Sequence, residues 1–157
     1  MADTEDKGNG QEPTQQFAIQ KIYVKDLSFE SPNAPAVFTA DFQPQVNVEL
    51  NTNGQSIGDN VYEVVLSITV TVKQGENTAY LVEVQQSGIF NIEGMPEDQM
   101  AGMLAVFCPS IIFPYAREAI SDVVTRGGFP QLLLAPVDFN AMYTQHLEQQ
   151  QAQQATH

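Results

Sequence analysis

Between Val61 and Ile92 the chain alternates so regularly that few folds remain open to it. In the first half Tyr62, Val64, Leu66, Ile68, Val70 and Val72 occupy the even positions, and Val61, Glu63, Val65, Ser67, Thr69 and Thr71 the odd ones. A period of two places one set on a buried strand face and the other on a wetter face. After the polar turn Gln74-Gly75-Glu76-Asn77 the pattern resumes. Tyr80, Val82, Val84, Phe90 and Ile92 point one way, and Leu81, Glu83, Gln85, Ser87 and Asn91 the other. Two long strands about a short Gly-containing turn predict an antiparallel hairpin. Its apolar face carries roughly ten large side chains, each stabilising by about 1.5–3 kcal/mol when buried. The rest of the chain must supply the cover.

Around the hairpin the elements read as follows. Phe17–Glu30 predicts a strand that alternates at its end (Leu27 and Phe29 against Asp26, Ser28 and Glu30). It begins with Phe17, Ile19, Ile22, Tyr23 and Val24 on both faces, as if buried twice. Ser31–Pro44 loses all periodicity at Pro32, Pro35 and Pro44, because proline fixes φ and removes a donor. This excursion still carries Val37, Phe38 and Phe42, which must fold down as a lid or line something open. Gln45–Leu50 predicts a short strand, and Asn51–Asn60 a polar loop. Beyond Gly94 the period lengthens. Met100, Met103, Leu104 and Phe107, then Ile112, Ala116, Ile120, Val123 and Val124, predict a helix over Glu97–Arg126, broken near Pro109 and Pro114. Phe129–Val137 is an apolar, Pro-bounded segment containing Leu133. Asp138 then caps a last helix striped by Phe139, Met142, Tyr143 and Leu147. Residues 1–15 read as a disordered acidic arm, 16–148 as the folded domain, and 149–157 as a disordered Gln-rich tail.

Composition removes several function classes. The net charge of -13 repels phosphate backbones and anionic lipid, so nucleic acid and membrane surfaces are poor partners, whereas a basic protein segment fits. No apolar run approaches the roughly 20 residues of a membrane helix, so no membrane insertion is expected. One cysteine, Cys108, forms no intrachain disulfide and suits a reducing compartment, and the polar N-terminus lacks the apolar core of a signal peptide. A cytoplasmic protein is expected. Neither GxxxxGK[ST] nor GxGxxG occurs, and His146, His157 and Cys108 make neither a zinc set nor a triad. The expectation is therefore a chain without catalytic residues, metal or cofactor, in which Cys108 is a packing residue. Asp26, Glu30, Glu63 and Glu83 taken alone read as a solvated strand face.

Five long segments together resemble one family. They are Ile22–Pro35, Val61–Leu66, Glu83–Phe90, Cys108–Glu118 and Phe129–Phe139, in order and without large gaps. They are similar to SecB, the bacterial protein-export chaperone family, over about residues 16 to 147. The resemblance implies an α+β subunit with a four-stranded antiparallel sheet, a long helix and a shorter C-terminal helix, assembled as a homotetramer that is a dimer of dimers. It implies an ATP-independent holdase that binds unfolded precursor polypeptides and delivers them to the SecA motor.

Carried over residue by residue, the resemblance implies SecA contacts at Asp26, Glu30, Leu81 and Glu83. Carboxylates around an exposed leucine suit a basic docking segment steered by charge. It also implies client grooves beside the Pro-rich loop and the last helix, for which Val37, Phe38, Phe42, Leu133, Met142 and Tyr143 are candidates. Val82 stands where relatives often have cysteine. Two other readings stay open: a SecB-like chaperone dedicated to another client such as an antitoxin, and a carrier of small apolar ligands beneath a closed lid.

Overall fold

The alternation of the central stretch becomes the middle of a sheet. In the computed structural model, which describes residues 14–155, β3 (Val61–Gln74) and β4 (Asn77–Glu93) pair antiparallel, with Val70 opposite Val82 and Ile68 opposite Val84. Gly75 takes φ +62° in the turn between them, a conformation that costs glycine little. β1 (Gln16–Glu30) adds outside β4 and β2 (Gln45–Gly58) outside β3, giving the order β1-β4-β3-β2. The expected arm falls largely on residues 1–13, outside the described residues.

β1 is an edge strand rather than a strand buried twice, and two bulges explain why its sequence misleads. The register skips Gln20 (Ile19 opposite Phe90, Lys21 opposite Ile89) and Lys25 (Val24 opposite Gln86, Asp26 opposite Gln85). Each extra residue flips the parity of what precedes it. Phe17 and Ile19, then Ile22 and Val24, then Leu27 and Phe29 all pair with core-facing or glycine positions of β4 and so share one face. Tyr23, Asp26, Ser28 and Glu30 share the other. Buried Gln86 donates from Nε2 to the Tyr23 carbonyl at 3.1 Å, filling a ladder position beside the second bulge.

β2 is longer than expected. The segment read as a polar loop from Asn51 continues the strand to Gly58, with Thr52 opposite Leu66 and Gly54 opposite Val64. Backbone pairing to a strongly specified neighbour overrides the low strand propensity of Asn and Gly. Leu104 of the helical layer packs against Gly54, where an added Cβ would stand 3.0 Å from the leucine Cβ.

The helical layer crosses one face of the sheet. α1 (Glu97–Gly102), a π-helical turn (Met103–Phe107) and α2 (Cys108–Arg126) run on without a gap, so the expected break is a bulge instead. Pro109 lacks an N–H and crowds the carbonyl four residues back. The widened turn, in which the Cys108 N–H reaches the Met103 carbonyl, accommodates it. Ile112, Ala116, Ile120 and Val124 of α2 join Val64, Leu66, Ile68, Val70, Val82 and Val84 in one buried cluster. Cys108 is fully buried there, as a packing residue. The joined helix Glu97–Arg126 is, by length and composition, apolar enough to cross a bilayer. Its scattered polar residues keep each apolar run short, which is why the sequence shows no run of that length.

α3 (Phe139–Ala155) extends beyond the expected end of the domain and takes in Gln149–Ala155, the segment read as a disordered tail. Gln and Ala are good helix formers, so the capped helix propagates through an exposed segment that has no large apolar residue. The cap is as expected: the Asp138 Oδ1 accepts from the Ala141 N–H at 3.0 Å.

The end of α2 is fitted to β1. A Cβ on Gly127 would lie 2.2 Å from the Phe29 Cζ, and Phe29 itself stacks on Tyr80 with centroids 5.9 Å apart. Gly127 has φ -72°, so its substitution is opposed by space and not by backbone strain. Gly127→Ala is expected to lower the unfolding free energy by about 1–3 kcal/mol in urea denaturation. An unchanged midpoint would show that Phe29 moves aside freely.

Candidate functional site

The sheet segregates two kinds of surface. On the face away from the helices, Glu30 pairs with Leu81, Ser28 with Glu83, and Asp26 with Gln85. The four expected docking residues therefore form one patch across two adjacent strands. Asp26, Glu30 and Glu83 are exposed and Leu81 half-buried. None of the three carboxylates makes an ion pair among the described residues. Glu49 joins them in the row Ser28–Glu83–Thr69–Glu49, a member that sequence reasoning missed. Its signal was available, since Glu49 has the wet parity of β2.

Beside this patch lies a carboxylate of a different kind. Glu63 is 9% exposed and accepts from the Tyr23 hydroxyl, from Lys25 Nζ at 3.1 and 3.3 Å, and from Gln55 Nε2 at 3.2 Å. The Tyr23 hydrogen bond, aided by Lys25 and Gln55, holds its carboxyl below the usual glutamate range against the opposing effect of burial. Burial, then the Glu63 carboxylate, pushes the Tyr23 phenol up. Far from being part of a merely solvated face, Glu63 ties β1 to β3 and β2.

The six groove candidates separate into three places. The Pro-rich loop folds down at one end of the sheet, stapled by Ser31 Oγ to the Ala79 carbonyl and Asn33 Nδ2 to the Thr78 carbonyl, both at 2.9 Å. Its aromatic rings meet Phe129, with Phe38 at 5.0 Å and Phe42 at 5.7 Å between centroids, and Tyr80 at 4.7 Å beneath. Val37 packs on the same core, while Phe38 remains 50% exposed. The loop is thus both a cover and an open aromatic rim.

Met142 and Tyr143 line a separate cavity of about 620 Å³ between β2 and α3, with Leu50, Thr52, Leu104 and His146 among its other walls. Leu133, 67% exposed, stands at a third hollow of about 390 Å³ beside Arg117 and Ser121 of α2. One continuous groove through all six residues is not what a single chain presents. The walls supplied by β2 were invisible to a reading that made Asn51–Asn60 a loop.

The remaining chemistry is sparse. Burial pushes the Cys108 thiol up to about 12, which keeps it protonated and unreactive near neutrality. Among the described residues no group of three His, Cys, Asp or Glu side chains is placed to hold a metal.

An α+β fold with aromatic and apolar hollows on its helical side and, on the bare sheet face, carboxylates without ion pairs among the described residues has the surfaces of a protein-binding module. The model of the SecB family, preprotein translocase subunit SecB, matches residues 10–150. The protein-export protein SecB of Methylococcus capsulatus is 56% identical over 148 residues, covering 93% of this chain and 96% of that one. The SecB of Marinobacter nauticus is also 56% identical, covering 94% of this chain and 90% of that one. Among solved structures, a SecB-like chaperone of Mycobacterium tuberculosis in complex with an antitoxin peptide aligns with a TM-score of 0.64 at 17% identity. It covers 77% of this chain and 90% of that one, a likeness of fold. The chain belongs to the SecB family.

The Glu63 network predicts a pH response. A carboxyl held below its ordinary range stabilises the fold where it is ionised, and this is lost as pH falls from about 4.3 through the lower folded value. E63Q is expected to lose less stability than the wild type between about pH 5 and pH 3 in urea titrations. Equal losses would remove Glu63 from the acid sensitivity.

Proposed function

We propose that this SecB-family chain is an ATP-independent holdase that binds unfolded precursor polypeptides in the cytoplasm and delivers them to SecA. Membership of the family, with relatives at 52–57% identity that carry the name protein-export protein SecB, supports the export-chaperone role. One observation carries the rest of the reading: the apolar hollows and the unpaired acidic patch lie on opposite sides of one sheet. A client on the helical side leaves Asp26, Glu30, Leu81 and Glu83 open to a basic segment of the motor. An exposed Phe38, a cavity walled by Met142 and Tyr143, and the hollow at Leu133 offer several weak sites for an extended chain. Weak sites on one client add up by effective concentration.

The assembly belongs to the same proposal. Ile19, Val24 and Leu27 on the core-facing side of β1, and Phe107 and Tyr115 on the long helix, are exposed in the single chain. Burying such residues is stabilising by about 25 cal/mol per Å², which supports their closure by other subunits in a homotetramer built as a dimer of dimers. An antitoxin-dedicated role is the second reading, favoured by the peptide held in the M. tuberculosis chaperone structure.

Light-scattering mass of the protein, alone and mixed with a chemically unfolded precursor without ATP, tests the proposal. A tetramer that takes up the unfolded chain and ignores its folded form is the expected result. A tetramer indifferent to both would end the holdase reading. Phe38→Ala is expected to weaken client binding by roughly fivefold or more while leaving the tetramer intact. Phe42→Ala should do the same with an added loss of stability, since Phe42 is the more buried ring. D26N/E83Q is expected to lower SecA affinity at least about tenfold with client uptake unchanged. Undiminished SecA binding would move the docking site elsewhere.

A further inference from the structure

The extra residue of the second β1 bulge is a lysine, and it does not pair with the carboxylate next to it. Lys25 adjoins Asp26, which is exposed and without an ion pair among the described residues. Its ammonium instead crosses β4 to β3, where Nζ stands 3.1 and 3.3 Å from the two Glu63 oxygens. The receiving carboxylate is built for the purpose. It is nine-tenths buried, and Tyr23 and Gln55 fix it from the two edge strands. The Lys25 side chain is 45% exposed, but the carboxylate it reaches is held in place, which defines the pair more closely than two mobile surface chains.

We propose that Glu63 is a positioning residue for the acidic face: it draws Lys25 away from Asp26 and so leaves Asp26, Glu30 and Glu83 uncompensated for a cationic partner segment. The proposal rests on the reading of that face as the SecA docking surface. Released from Glu63, the ammonium would share the strand surface with Asp26, within about one Debye length of the patch, roughly 8 Å at physiological salt. There it would repel an incoming cation as well as neutralise a carboxylate. One charge so placed changes affinity by roughly three- to tenfold.

The test is calorimetric titration of purified SecA into the wild-type protein, E63Q, K25Q, K25Q/E63Q and D26N/E83Q at one ionic strength. Unfolding midpoint and client uptake are measured alongside. In E63Q the remaining oxygen still accepts from Tyr23, the Gln55 amide turns to accept from the new NH2, and Lys25 loses its counter-charge, so SecA affinity is expected to fall roughly three- to tenfold. The double variant is expected to return within about twofold of wild type, a rescue that mere damage to the sheet would not give. E63Q binding like wild type, or the double variant as weak as E63Q, would overturn the proposal. The K25Q arm stands even if E63Q does not fold: little change, up to about threefold tightening, is expected for a lysine already neutralised. Tightening beyond that would show that Lys25 compensates the patch in the native protein and would also overturn it. Undiminished binding by D26N/E83Q would instead sink the docking reading, and the proposal with it.

Discussion

α2 lies along the middle of the sheet with Ile112, Ala116, Ile120 and Val124 against the even-numbered valines and isoleucines of β3 and β4, and no water reaches that contact. Because a strand alternates its side chains, committing one face to the helix commits the other to solvent. The charge pattern follows from that commitment. Carboxylates at odd positions of β4 and even positions of β1 are delivered to the same bare face, two strands wide, without any residue having been drawn there by a ligand. The helix also determines where the apolar hollows fall. It covers the centre, so the hollows lie at its margins, where the Pro-rich loop and α3 only partly close the edges.

Much of this was written plainly in the sequence, and the exceptions have definite causes. The hairpin and the buried side of α2 were legible because each periodicity can be read within one stretch of chain. β1 was legible as a strand but not as an edge, since two bulges shift its parity at Gln20 and Lys25 and scatter one apolar face over both. β2 hid its second half for another reason: Asn51, Asn53, Gly54 and Gln55 have the composition of a loop, and only the ladder to β3 makes them a strand. The π-helical turn before Pro109 replaced a break because widening one turn disturbs less than ending a helix whose buried stripe continues on both sides.

The candidate site divides along similar lines. The acidic patch could be assembled from parity and resemblance alone, and the register places its members side by side. The grooves could be named only as residues, because their walls come from segments far apart in the chain: Phe38 meets Phe129, and Met142 faces Leu50 across a cavity. Glu63 was grouped with ordinary surface acids. Its separateness depends on Tyr23 and Lys25, which lie across an intervening strand, and no local pattern reports such a bridge.

The strand order carries a consequence for how the molecule is made. Synthesis proceeds from β1 to β4, yet β1 is hydrogen-bonded only to β4, the last strand to be translated. Until Glu93 has left the ribosome, the first strand has no place in the sheet. Its apolar row from Phe17 to Phe29 must wait in water or on some other surface while β2 and β3 zip locally. Non-local pairing of this kind is slow and leaves sticky surface exposed in the interval. A protein of the export-chaperone family thus passes, during its own birth, through the condition of an unfinished chain with an unpartnered strand.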